Sequence, residues 1–390
     1  MKNVISILLF IGMTTYLFGQ KDSIDRALQV NGYVKFLQSN FVFEDNPLFT
    51  DQLLHNRLNF QQQLLMDVSW VVELRNRLFY GQSVQMVQAL DLKYTDVINA
   101  DQNRRIRPYI TWDGNSGLAF LGTIDRAYIQ WNPGNYEVRI GRQRVNWGIS
   151  TIWNPNDIFN AYGFTDFDYE ERPAVDAIRL KRYIGYSGSI EGIIALGDKM
   201  EDVSGGIMYK TYIKSYDLQF LAGYAENNYI LGVGTAGNLG LAGLKSEVSV
   251  FFPGSNDETD SISISGTVAI DYTFESGLYI SGGALYNSLG STEGDLSSLF
   301  SFDLSARNLY PYRWAIMTAV NFTITELLGS GISVIYSPVS SHALFINPTL
   351  SYSISSSWDA DLVGQLAFNK IDDIFTSSVY GVFGRIKFSF

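Results

Sequence analysis

Side chains of opposite charge are crowded into one stretch of the sequence, residues 138–181. Both ends of the stretch are basic, and the polar residues there are Arg139, Arg142, Gln143, Arg144, Arg179 and Lys181. The middle is aromatic and acidic, and its carboxylates include Asp166, Asp168, Glu170 and Glu171. Opposite charges held apart by a fixed frame produce a field that orients charged or dipolar solutes. What this stretch can do therefore depends on the elements that hold its two ends.

Residues suited to covalent or metal chemistry are scarce. The chain has no cysteine, which excludes disulfides, thiolate metal sites and cysteine nucleophiles. Its two histidines, His55 and His342, are interpreted as solvated polar residues. We therefore predict no catalytic residue, no cofactor, no metal site and no enzymatic activity. A net charge of −11 also argues against a general nucleic-acid binder.

In residues 57–80, apolar and polar side chains fall on alternate positions, which we call the apolar and the polar parity. Trp70 and Val72 lie on the first parity, whereas Ser69 and Glu73 lie on the second. A period of two is the period of a β-strand, and the segment is long enough for two strands joined by a tight turn. Abundant glycine (35), tyrosine (24) and phenylalanine (25) with few prolines (9) also favour a β-rich chain.

Alternating segments of about ten residues recur to the C-terminus. Tight turns are predicted at 132–135, 214–217, 274–277 and 355–358. Longer loops are predicted at 81–117, 148–174, 253–260 and 289–309. Short connections at one end and long ones at the other are typical of a membrane barrel. The predicted fold is all-β: a transmembrane antiparallel β-barrel of about 18 strands, within a range of about 16–18.

Both ends of the chain resemble export signals. Residues 1–19 have the lysine, the apolar run and the small final residue of a cleaved signal peptide, which leaves 20–390 as the barrel domain. In the last segment, Tyr380, Val382, Ile386, Phe388 and Phe390 share one face. Such a terminal strand resembles the signal read by the barrel-insertion machinery. The predicted location is the outer membrane of a Gram-negative bacterium, in contact with lipid and lipopolysaccharide.

The alternation predicts which side of the barrel wall each basic side chain faces. Val138 and Ile140 should face lipid, which turns Arg139 and Gln143 toward the lumen. Parities on other strands add Arg75, Arg77, Arg126, Arg179 and Lys181 to the same basic wall. The same parity would expose Arg142 and Arg144 to lipid, at about 2–4 kcal/mol each near the midplane. Either a bulge at Gly141 turns both inward, or both reach the polar rim.

The loop 148–174 carries more aromatic residues than a solvated loop needs. Folded into the barrel, it could bury these rings against the inner wall and set its four carboxylates opposite the arginines. Such a constriction would narrow the lumen and select among solutes. The alternative is that the loop packs outside the barrel, on neighbouring loops or on a partner.

The motifs VRIGRQRVNWG, WNPND and DFDYEERP resemble the Gly-Arg-Gln and Trp-Gly pattern of porin-like outer-membrane proteins. That broad group includes alginate-export and phosphate-selective porins. The resemblance implies that Arg139, Arg142, Gln143 and Arg144 lie on a pore wall and that small hydrophilic solutes, charged or not, diffuse through passively. The chain lacks the lysine-rich ladder of a phosphate-selective channel, so phosphate selectivity is not predicted.

Two other functions stay open. A barrel plugged by its own loops could act as a scaffold or anchoring partner of a cell-surface or secretion assembly. A channel for hydrophobic compounds would need an apolar interior, which the charged inward parities disfavour. Porins of this size often form trimers, but no segment identifies an interface, and a homo-oligomer is left open.

Overall fold

The structure is a computed structural model that describes residues 27–43, 48–98, 109–114, 117–161, 173–197, 202–254, 261–293, 302, 304–371 and 374–390. Within these ranges the chain forms nineteen β-strands and two short helices. The helices are α1, Gln82–Ala89, and α2, Tyr94–Ile98. Neither described helix has the length and apolar character needed to cross a membrane. The predicted signal peptide lies outside the described residues.

Strands make up most of the described chain. In chain order they are β1 Gln29–Phe43, β2 Phe49–Gln63, β3 Val68–Gly81, β4 Tyr109–Gly114, β5 Leu118–Trp131, β6 Tyr136–Gln143, β7 Val175–Ile184, β8 Gly188–Leu196, β9 Ser204–Ile213, β10 Tyr216–Ala225, β11 Asn228–Leu239, β12 Ala242–Pro253, β13 Ser263–Thr273, β14 Tyr279–Asn287, β15 Trp314–Thr325, β16 Leu328–Ser337, β17 Ala343–Ser355, β18 Trp358–Ile371 and β19 Ile374–Ser389.

The described strands form a closed ring. Neighbours in sequence pair antiparallel, except that β3 pairs with β5 and the short β4 stays outside the ring. β4 pairs with the first half of β5, on the edge that β6 occupies further along. β1 and β19 close the ring antiparallel, with Tyr33 opposite Ser389. The prediction of a closed antiparallel barrel of about 18 strands is confirmed.

Alternation gives the wall two faces. On β8, Glu191 and Ile193 are buried, whereas Ile190 and Ile194 are exposed. The buried parity, which we call the inward face, carries many charged and hydroxyl side chains; the exposed parity, the outward face, is largely apolar. Soluble proteins bury apolar side chains preferentially, whereas membrane barrels turn an apolar band to the lipid.

The two ends of the barrel differ in their connections. All four predicted tight turns join strands at one end, which we call the short-turn end. In two of these turns, Gly134 and Lys214 adopt positive φ angles of 61° and 57°. Hairpin turns need such left-handed residues to match the twist of the strands they join. The long connections lie at the opposite end, which we call the long-loop end.

The connection 81–117 has more structure than the sequence pattern indicated. It was predicted as a loop, but α1, α2 and β4 lie within it. Helix α2 is held by Thr95, whose hydroxyl and backbone N–H both donate to the carboxylate of Asp113 on β4. These elements are too short to give a clear period, and they depend on contacts with the barrel wall.

Candidate functional site

One carboxylate on β12 holds the segment 144–161 that follows β6. Glu247 is 1% exposed and accepts hydrogen bonds from the backbone N–H groups of Ile149, Ser150 (2.6 Å) and Asn156 (3.0 Å). A buried backbone N–H group without an acceptor costs about 1–3 kcal/mol, and this carboxylate supplies the acceptor for all three groups. Since Glu247 lies on the inward face of β12, these bonds tie the segment to that face.

Other inward-facing side chains bind the same segment. The indole of Trp147 donates to Glu191 on β8 (2.7 Å), and the carbonyl of Trp147 accepts from the Gln219 amide on β10 (2.9 Å). The hydroxyl of Ser249 on β12 donates to the carbonyl of Pro155 (3.0 Å). The segment is therefore bound to three strands through polar side chains as well as through Glu247.

Glycines in the wall leave room for the segment. A Cβ atom at Gly206 on β9 would stand 3.0 Å from the Trp147 ring. At Gly232 on β11, it would stand 2.6 Å from the side-chain oxygen of Asn156. These separations are shorter than ordinary van der Waals contacts, so larger residues at either position would displace the segment.

Two apolar side chains of the segment pack against strands further along the wall. Ile152 and Trp153 are 7% and 1% exposed and join a cluster with Leu285 on β14 and Met317 on β15. Trp153 meets the ring of Tyr310 edge to face, 5.9 Å between centroids. Burial raises the pKa of the Tyr310 hydroxyl, which therefore stays neutral. Polar and apolar contacts together hold the segment against the wall.

Arginines of β2, β3 and β5 form a cluster with two carboxylates. Arg57, 1% exposed, contacts Glu73 and Asp125, the latter at 2.7 Å. Arg75 also reaches Asp125 (3.0 Å), and Arg126 reaches Glu73 (3.4 Å). The predicted basic wall thus carries its own counter-ions: Glu73, which shares the polar parity of Arg75, and Asp125, which the alternation did not assign to this wall.

A β-bulge explains how Asp125 enters this cluster. In the pairing of β3 with β5, Glu73 lies opposite Arg126 and Leu74 lies opposite Ile124, so Asp125 is the extra residue. A bulge turns two successive side chains toward the same face. Asp125 and Arg126 therefore both contribute to the inward cluster, although their parities differ.

A second cluster joins β6, β7 and β8. Glu137 contacts Arg139 and Arg179, each at 3.2 Å, and accepts from the Tyr183 hydroxyl at 3.0 Å. Arg179 also contacts Glu191 at 3.0 Å. Because Glu191 accepts from Trp147 as well, this cluster is connected directly to the segment 144–161.

Arg142 forms an ion pair, and the structure has no bulge at Gly141 that would turn its side chain inward. The register passes through Gly141 without a shift, so Arg142 keeps the parity of Ile140. Its guanidinium makes two hydrogen bonds to Asp176 on β7, at 2.9 and 2.8 Å, and is 4% exposed. A bidentate pair neutralises the charge at this position. Gln143 is fully buried and donates to the carbonyl of Ala177 (3.0 Å).

The remaining predicted site residues fall into two groups. Arg77 lies over the ring of Phe79 at 5.5 Å, Lys181 lies over Tyr183 at 4.8 Å, and Arg144 is half-buried beyond β6. The predicted carboxylates of the facing loop lie outside the described residues, and these are Asp166, Asp168, Glu170 and Glu171. Their position opposite the arginines stays a prediction.

Sequence reasoning missed three carboxylates of the site. Asp125 was hidden by the bulge, and Glu191 and Glu247 were not singled out. A signal was present for Glu247: in the run LKSEVSVFF it shares the polar parity of Lys245 and Ser249. Its role as an anchor could not be read from that parity, because the groups it binds are 91 to 98 residues away in sequence.

The histidines are held by neighbouring tyrosines. His55 is 5% exposed, so its interpretation as a solvated residue was wrong; its ring lies 3.4 Å from the Tyr33 hydroxyl. His342 lies 2.6 Å from the hydroxyl of Tyr336. Among the described residues, no three histidine or acidic side chains are grouped closely enough to hold a metal ion.

The geometry defines a class of fold: a closed antiparallel barrel of eighteen described strands with charged inward clusters. The chain matches the crystal structure of Acinetobacter baumannii OccAB4 with a TM-score of 0.60 and 8% identity, over 93% of this chain and 98% of that one. The crystal structure of Pseudomonas aeruginosa OccK11 (OpdR) matches with a TM-score of 0.58 and 11% identity, over 93% of this chain and 95% of that one. The crystal structure of Pseudomonas aeruginosa OpdQ matches with a TM-score of 0.59 and 7% identity, over 93% of this chain and 97% of that one.

No family model and no curated protein matches the sequence. At these identities the solved structures establish the fold that the chain shares with them. A further structure of the same fold is described as the outer membrane protein opdK from Pseudomonas aeruginosa.

Proposed function

We propose that the protein is an outer-membrane channel through which small hydrophilic solutes, charged or uncharged, diffuse passively. The apolar outward face suits lipid, and the charged inward face suits an aqueous path. Barrels of 16–18 strands are wide enough to leave such a path. The shared fold with solved outer-membrane barrels supports this assignment.

The observation that carries the proposal is the attachment of segment 144–161 to inward-facing groups, Glu247 above all. A segment bound there would occupy part of the lumen and would leave a narrower passage beside it. The arginine clusters of β2, β3, β5, β6 and β7 would line the rest of that passage. The loop 148–174 would thus form the constriction, with Asp166, Asp168, Glu170 and Glu171 as its acidic edge.

The carboxylates within the wall weaken the electric field that was predicted between the basic wall and the acidic loop. Glu73, Asp125, Glu137 and Glu191 lie among the arginines, so the basic wall is partly neutralised. We therefore expect the channel to admit solutes of either sign, with a bias set by the balance of these clusters. In this account no inward group acts as a catalyst.

Location and assembly belong to the same proposal. Residues 1–19 would direct export and be removed, and the C-terminal strand ending at Phe390 would engage the barrel-insertion machinery. Residues 20–390 would then span the outer membrane in contact with lipid and lipopolysaccharide. A homo-oligomer is compatible with this arrangement.

A second function is favoured by the same attachment. Because segment 144–161 makes both polar and apolar contacts, it could close the lumen and leave a scaffold for a cell-surface or secretion assembly. A liposome-swelling assay separates the two functions. Swelling in isosmotic sugars that declines with sugar size supports the channel; absence of swelling with the smallest sugar, in liposomes that contain folded protein, contradicts it and favours the scaffold.

A further inference from the structure

An apolar pocket lies between the connection α1–α2 and the inward face of the barrel. Its volume is about 230 Å³, and its apolar lining includes Leu37, Leu53, Phe79, Val84, Tyr94 and Phe383. Leu37 and Val84 are 6% and 1% exposed. An apolar cavity of about 150 Å³ is large enough to hold benzene. The pocket therefore has room for a single aromatic ring.

Three polar residues of the lining, Asp51, Gln52 and Ser83, are already engaged in hydrogen bonds. Asp51 accepts a hydrogen bond from the backbone N–H of Ser83 at 2.9 Å and another from the Ser83 hydroxyl. Gln52 donates to the side chain of Gln38 at 3.1 Å. A ligand in this pocket would therefore meet mainly carbon atoms and aromatic faces, which favours an apolar group.

The helices that cover the pocket are fixed to the barrel. Tyr94 meets Phe79 edge to face, with 5.4 Å between centroids. Burial, with a smaller effect of Asp51, raises the pKa of Tyr94 to about 12, so its hydroxyl stays neutral. The Gln88 side chain on α1 accepts from the backbone N–H of Gly117 at 3.1 Å. A pre-formed pocket loses little entropy when a ligand enters.

Basic side chains adjoin the pocket on the short-turn side. In the register, Leu37, Leu53 and Phe79 form one inward row across β1, β2 and β3. The next inward row of the same strands is Lys35, His55 and Arg77. The guanidinium of Arg77 lies 5.5 Å from the Phe79 ring. A ring in the pocket would thus have cations beside it, which stabilise an aromatic face.

We propose that this pocket is a binding subsite for the aromatic ring of a solute that passes through the barrel. The inference rests on the proposed channel function and extends it to a class of solute. Solutes that carry a six-membered aromatic ring should pause at the pocket, whereas solutes of the same charge without a ring should pass without pausing.

The test compares phenylalanine with alanine, which share their charged groups and differ by the ring. Single-channel recordings in a planar bilayer measure the residence time of each amino acid in the pore. We expect phenylalanine to stay several-fold longer than alanine. Leu53→Phe fills the pocket and should bring the two residence times together, as should Val84→Phe from the opposite side. Leu54→Phe, on the outward face, is the matched control and should leave the difference intact.

Each outcome decides the inference. Equal residence times in a conducting wild-type channel overturn it while the channel function stands, and so does a difference that survives both pocket-filling variants. If the folded protein does not conduct, the channel function fails instead. Crystals soaked with 4-bromophenylalanine then decide the subsite alone: anomalous density for bromine in the pocket supports it, and its absence overturns it.

Discussion

The carboxylate of Glu247 on β12 accepts a hydrogen bond from the backbone N–H of Asn156, 91 residues earlier in the chain, at 3.0 Å. The same carboxylate also binds the N–H groups of Ile149 and Ser150. Because three backbone N–H groups converge on one side chain, we regard Glu247 as the anchor of segment 144–161.

Replacing Glu247 tests this anchor. Glu247→Ala removes the acceptor from three backbone donors, at a cost of at least about 2 kcal/mol. We expect segment 144–161 to detach, which raises single-channel conductance and opens the segment to chymotrypsin at its tryptophans. Val248→Ala, on the outward face next to it, should change neither quantity. Unchanged conductance and unchanged cleavage in Glu247→Ala would contradict the anchoring role.

The glycine contacts make a second prediction. Gly206→Val should displace Trp147, because even a Cβ atom at this position lies 3.0 Å from the ring. The matched control is Gly192→Val, where a Cβ atom meets nothing within 4 Å. We expect the Gly206 variant alone to shift the fluorescence emission of buried tryptophan toward longer wavelengths. Identical spectra for the two variants would show that the wall tolerates a larger residue there.

The cluster around Arg57 predicts an effect on both stability and selectivity. Arg57→Met leaves Glu73 and Asp125 with less positive charge, and removing one partner of a buried ion pair costs about 3–5 kcal/mol. We expect a lower free energy of unfolding in urea and a reversal potential shifted in the direction of greater cation selectivity. Arg182→Met, at an exposed position of β7, is the control and should leave both nearly unchanged. A reversal potential unaffected by Arg57→Met would place this cluster away from the ion path.

A double-mutant cycle isolates the connection between the wall and the segment. Trp147→Phe removes the indole that donates to Glu191, and Glu191→Gln removes the charge that Arg179 contacts. Since Glu191 binds both groups, we expect the two substitutions to be non-additive by about 0.5–3 kcal/mol in the free energy of unfolding. Additive effects would mean that the second arginine cluster and the segment are energetically independent.

Much of the fold could be predicted because it follows from local patterns. The period of two and the tight turns are each read within a few residues, the even strand number follows from counting the segments along the chain, and all three agree with the closed ring. Parity also placed Arg139 on the same inward face as Glu137, where the two are 3.2 Å apart. Local patterns were therefore sufficient to predict the strands, and the face of the wall on which a side chain lies, wherever the register is regular.

The rest of the site depends on positions where the pattern breaks or where distant residues meet. One extra residue at Asp125 reverses a parity, and no sequence period announces it. The contact of Glu247 with Asn156 requires the registers of the five intervening strands, β7 to β11, each of which must be right. Helices α1 and α2 depend on the barrel wall for their contacts. These features arise from tertiary contacts, which propensity and period do not encode.

The most direct test of the constriction is the single-channel conductance of the refolded protein in a planar bilayer, beside a variant that lacks residues 159–171. We predict discrete conductance for both proteins, with a larger value and altered ion selectivity for the deletion variant. Conductance in the deletion variant alone would identify the loop as a plug, and absence of conductance in both folded proteins would contradict the channel function.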